Sequence, residues 1–68
     1  MEADEIIKLV YLFADKNKFY DTYFIDSVHT FYQKNNFITD KQRKALLKSI
    51  NDFNMVKWFN HEVMMGRI

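Results

Sequence analysis

Apolar residues return along the chain at intervals of three and four, the spacing of one face of an α-helix. From Glu2 to Ala14, the positions Ala3, Ile6, Val10 and Phe13, joined by Ile7 and Ala14, form one such stripe and predict a first helix. Glu2, Asp4 and Glu5 suit its first turn, because acids complement the positive end of the helix dipole. Leu9, Tyr11 and Leu12 carry apolar character well beyond one stripe, so this helix is either central or covered on a second side by a partner. A buried strand across Ile6 to Phe13 is the competing reading, since a short apolar run rich in Ile, Val, Tyr and Phe is not assigned by period alone.

Asp15 to Lys18 form a polar break, and Phe19 to Lys34 read as a second helix. Tyr20, Phe24, Val28 and Phe31 share one face, flanked by Tyr32. Thr22, Asp26, His29 and Gln33 share the opposite face. Asn35 and Asn36 end the helix, because Asn tolerates the left-handed conformation used at helix C-termini.

The sharpest local signal follows. Thr39 precedes Gln42 by three residues, the spacing of a capping box in which each side chain bonds the other residue's backbone N–H. Thr39 is therefore the N-cap of a third helix, from about Asp40 to Asp52. Leu46, Ile50 and Phe53 lie on one side of it and Lys41, Lys44 and Lys48 on the other. Asn54 ends this helix or caps the next. Met55, Val56, Phe59 and Val63 make the inner stripe of a short last helix closed by Gly66, and Trp58, His61 and Met65 lie on a different side. The expected fold is all-α: one domain over residues 1–68, a bundle of three to four helices with a core of Phe13, Phe24, Phe31, Leu46, Ile50 and Phe59.

Composition supports that class. Proline is absent and there is a single glycine among 68 residues, so the punctuation of hairpins and long loops is missing. A chain of this length buries only about 60% of the surface it exposes unfolded. With no cysteine, no disulfide supports it. Its 18% aromatic content supplies large core side chains and leaves some for the surface. No apolar run approaches the roughly 18 residues that span a bilayer, and no secretory signal pattern is present. No membrane association and a cytoplasmic location are expected. Residues 1–30 carry six acids against three bases, and residues 31–68 three acids against seven bases, giving halves of −3 and +4. Such asymmetry favours either a nucleic-acid face in the second half or the pairing of two copies with opposite ends together. A homodimer is expected, through the excess apolar surface around Leu9 and Leu12 or through the Trp58 face.

Candidate chemistry is sparse. Two histidines far apart and no cysteines give no zinc site, which needs four converging ligands, so neither metal nor cofactor is expected. Asp26 and His29 are one helical turn apart, the minimal element of acid–base chemistry. Without a nucleophile they read as a solvated pair, and no catalytic residue is assigned. Lys41, Lys44 and Lys48, with Arg43 at the edge, form a basic ridge. Following a helix and a short turn, that ridge resembles the recognition element of a helix-turn-helix, although the connection lacks the glycine common there. Trp58, His61 and Met65 form the other candidate surface, because Trp supplies rigid contact area and Met adapts its shape.

Phe37 to Leu46, FITDKQRKAL, places a hydrophobic pair, a Thr, an acid and Lys-Gln before an amphipathic helix. This resembles a segment that recurs in small phage-encoded proteins and phage replication accessories. The resemblance implies an origin in a phage or mobile element, with a compact protein that binds a host protein or assists DNA metabolism; it transfers no functional residue. The resulting expectation is a non-enzymatic module that modulates a host protein from the host cytoplasm through Trp58, His61, Met65, Leu9 and Leu12. The alternative is a nucleic-acid-binding accessory using the basic helix 40–52.

Overall fold

The computed structural model describes all residues from 1 to 68. Four helices follow in order: α1, Ala3–Lys16; α2, Tyr23–Asn35; α3, Asp40–Asp52; α4, Met55–Met64. No strand is present, and residues 6–13 are helical throughout. The fold is a small all-α bundle.

α1 is its hub. α2, α3 and α4 all pack on it, and α3 and α4 also pack on each other. Six of the twelve buried apolar side chains belong to α1: Ile6, Ile7, Leu9, Val10, Phe13 and Ala14. That explains why its apolar surface exceeds one stripe: three neighbours divide it. Its start is fastened by Glu5, whose carboxylate accepts from the Glu2 N–H at 2.7 Å. Its end is closed by Asn17, which donates both its backbone N–H and its side-chain amide to the Phe13 carbonyl.

α3 begins as its sequence dictates. The Gln42 N–H donates to Thr39 Oγ1 at 3.1 Å and the Thr39 N–H to Gln42 Oε1 at 2.9 Å. Leu46 and Ile50 are buried as expected, and Ile38, just before the cap, is buried with them. Asn36 ends α2 at φ 62°, and Asn54 turns the chain at φ 51° between α3 and α4. Gly66, at φ 74°, closes α4 in a Schellman turn: the Arg67 N–H reaches the Glu62 carbonyl and the Gly66 N–H that of Val63.

Three sequence expectations require correction. α2 starts at Tyr23 and not at Phe19, because Asp21 Oδ1 accepts from the Tyr23 N–H at 2.9 Å and the chain before it is a turn. α2 is also rotated: Ile25 and Val28 are buried against α1 while Phe24 is exposed and Phe31 only half-buried. Branched aliphatic residues seat this helix closely, and Phe31 pairs instead with Phe37 at 5.5 Å. In α4 the inward side carries Met55 and Glu62, with Trp58 and Phe59 half-buried beside them, so Val56 and Val63 remain exposed. Of the expected core, Phe13, Leu46 and Ile50 are buried, Phe31 and Phe59 are half-buried, and Phe24 is not part of it.

Candidate binding surfaces

The C-terminal end of α1 gathers the main aromatic cluster. Phe13, 5% exposed, is ringed by Phe19, Tyr20, Phe53 and Trp58 at centroid distances of 6.2, 5.7, 5.6 and 5.2 Å. Most of these contacts are edge-on, the arrangement favoured by the ring quadrupole. Tyr20 adds a hydrogen bond to the Ser49 hydroxyl on α3 at 2.7 Å, so the loop before α2 is pinned across the end of the bundle. Two rings of the cluster face outward: Phe19 is 71% exposed and Phe53 42%. They are 6.1 Å apart. A partly exposed aromatic platform therefore rests on a buried ring.

Trp58 belongs to this cluster. It is half-buried, and from it the same flank of α4 runs through exposed His61 to Met65, 55% exposed. Leu9 and Leu12 are elsewhere. Leu9 is buried at the floor of a groove between α1 and α4, with Leu12 half-buried at its margin. The expected protein-binding residues thus divide into two faces, and Leu9 does not offer the open apolar surface its sequence context suggested. Periodicity puts Phe19 inside a helix and Phe53 in the apolar stripe of α3, so neither reads as a surface residue; the polar run Asp15 to Lys18 and the pair Asp21–Thr22 are the signals that mark Phe19 as a loop residue.

The basic ridge is less open than its sequence suggests. Lys48 is paired with Asp52 at 2.8 Å, and the pairing raises the lysine pKa. Arg43 donates to the Met1 carbonyl at 2.7 Å, tying α3 to the start of the chain. Lys41 and Lys44 remain exposed without an ion pair or hydrogen bond. α2, which would have to brace α3 in a helix-turn-helix, packs mainly on α1.

Asp26 and His29 do not pair with each other but meet Tyr11 on α1. The Tyr11 hydroxyl donates to Asp26 Oδ1 at 2.5 Å, and the His29 ring lies edge-on to Tyr11 at 5.3 Å. Burial, then the hydrogen bond to Asp26 and its charge, pushes the Tyr11 pKa up to about 12. At neutral pH the phenol is a fixed donor, and its bond latches α2 to α1. Beside the latch a shallow groove of about 430 Å³ is lined by Asp4, Ile7, Lys8, Leu12 and Tyr32 with the two rings.

Glu62 is buried in α4, and a charge there requires a partner. Arg67 supplies it in bidentate form, Nε to Oε1 at 3.1 Å and Nη2 to Oε2 at 2.7 Å. The guanidinium holds the Glu62 carboxyl below the usual glutamate range against the opposing effect of desolvation, and His61 adds to the lowering. The Gly66 turn makes the pair possible by folding Arg67 back over the helix end. No group of His, Cys, Asp and Glu is arranged to hold a metal ion. No helix is long and apolar enough to cross a membrane. No protein-family model, curated protein or solved structure matches the chain.

Proposed function

We propose that this chain is a non-enzymatic binding module that grips a protein partner with its aromatic end, and that it acts, in keeping with its phage-like segment, by modulating a host protein. The observation that carries this reading is the platform of Phe19 and Phe53 fixed on buried Phe13. Aromatic rings have few rotatable bonds to order on binding, and aromatic anchors dominate the energetics of protein interfaces. Met65, at the far end of the Trp58 flank, adds an adaptable contact.

Nucleic-acid binding is the second reading, favoured by the two open lysines, Lys41 and Lys44. Two phosphate contacts give weak, non-specific affinity, well short of the set that a sequence reader uses. The two readings separate in a pull-down from host lysate performed with and without nuclease. The first expects a partner that survives nuclease, is lost with Phe19→Ser and is kept by the Lys41→Glu/Lys44→Glu double variant. Nuclease-sensitive recovery that the lysine variant abolishes and Phe19→Ser leaves intact overturns it.

A further inference from the structure

One face of α1, running the length of the helix, has a pattern of its own. Glu5, Leu9, Leu12 and Lys16 follow at spacings of four, three and four. On a helix they fall within about 60° of arc, the seam geometry of packed helices. Glu5 and Lys16 are exposed, and Lys16 has no acidic partner within the chain. Glu5 uses one oxygen on the Glu2 N–H and keeps the other open. Between them, the α1–α4 groove of about 300 Å³ is floored by Leu9, with Lys8 and Leu12 on the α1 side and Val56 and Phe59 on the α4 side. Val63 extends the α4 wall by one turn, and the two valines are 43% and 48% exposed.

The order acid, apolar, apolar, base is its own complement when reversed. We propose that this face is occupied by a second copy of the chain, with the two α1 helices crossing antiparallel about a two-fold axis. Glu5 then meets Lys16 of the second copy, and Leu12 of the second copy enters the groove floored by Leu9. The axis repeats both contacts, as a closed two-fold interface requires. The exposed α4 valines flank the seam and extend its apolar area. A parallel arrangement in register instead opposes Glu5 to Glu5 and Lys16 to Lys16. The seam residues Glu5, Leu9, Leu12 and Lys16 are distinct from the exposed rings Phe19 and Phe53.

Sedimentation equilibrium of the full chain tests the proposal. A dimer with a dissociation constant on the order of tens of micromolar is expected. Lys16→Glu places two like-charged pairs in the seam and raises that constant about tenfold. Glu5→Lys does the same, and an equimolar mixture of these two variants associates more tightly than either alone, since every seam contact is again between opposite charges. Leu12→Glu gives a monomer with an unchanged far-ultraviolet circular dichroism spectrum. Because Glu5 also caps α1, Lys16→Glu, at an exposed and unpaired position, remains decisive if the other variants lose helix. A chain that stays monomeric at several hundred micromolar, a dimer indifferent to Lys16→Glu, or mixed variants no tighter than the separate ones overturns it.

Discussion

Replacing Phe13 with leucine tests the bundle's construction at its most connected side chain. The substitution keeps an apolar residue in the core but removes a ring that meets four others between 5.2 and 6.2 Å. Aromatic pairs contribute about 0.5–1.5 kcal/mol each beyond their buried area, and four pairs sharing one ring are not additive. With the small void that leucine leaves, a net loss of about 2 kcal/mol follows. A chain of 68 residues has only about 3–10 kcal/mol of stability in total, so the loss is large. In urea, with a slope of about 1 kcal/mol per molar, the midpoint falls by roughly 2 M; on heating, the melting temperature drops by about 8–16 °C. Phe24→Leu is the matched control, because Phe24 is 44% exposed and should change stability by less than about 0.5 kcal/mol. Equal effects at the two positions, or a larger one at Phe24, would refute the assignment of the core to α1 with α2 turned outward at its phenylalanines.

Thr39→Ala removes the acceptor for the Gln42 N–H and should cost about 1 kcal/mol, read as a lowered unfolding midpoint; an unchanged midpoint means that α3 is not held by its cap. Gly66→Ala meets no steric obstacle, with nothing within 4 Å of the added carbon, so its cost of about 1 kcal/mol comes from the left-handed backbone alone, and a neutral result in thermal melts contradicts the Schellman closure. The lowered carboxyl of Glu62 contributes stability that is present above the ordinary glutamate range and lost as pH falls through the depressed folded value. Arg67→Met should therefore flatten the acid limb of a stability–pH profile, and an unaltered limb rejects the pairing. The raised Tyr11 pKa has the opposite sign. Its contribution is complete below the ordinary value of 10.0 and disappears as pH rises toward about 12, so Tyr11→Phe should remove that alkaline loss from the profile.

Legibility in the sequence followed the range of the interactions involved. The start of α3, the left-handed Asn36 and the Gly66 closure are set by residues within one turn of each other, and all three could be read directly. The excess apolar face of α1 allows either a central helix or one covered by a partner, and the packing of three helices on it shows that it is central. The rotation of α2 was not, because it depends on which residues fit against α1. Counting aromatic bulk favoured Phe24, whereas close approach selected Ile25 and Val28. The Tyr11–Asp26 bond spans 15 positions, so no local pattern announced it. No local pattern singles out Glu62, because its partner Arg67 becomes a neighbour only after Gly66 reverses the chain. Among the candidate surfaces, the lysines were visible as a row, but the engagement of Arg43 by Met1 is long-range and was hidden.

The central claim, that binding resides in the aromatic end, is tested most directly by titrating the recovered protein partner against this chain at 50 and 200 mM salt. Hydrophobic anchoring predicts an affinity that changes little between the two conditions and weakens by tenfold or more with Phe19→Ser, a loss of about 1.4 kcal/mol. If the partner is instead a nucleic acid held by Lys41 and Lys44, two released counterions predict a fall of about tenfold across that salt range. A salt-steep interaction unaffected by Phe19→Ser and abolished by Lys41→Glu/Lys44→Glu would contradict the account.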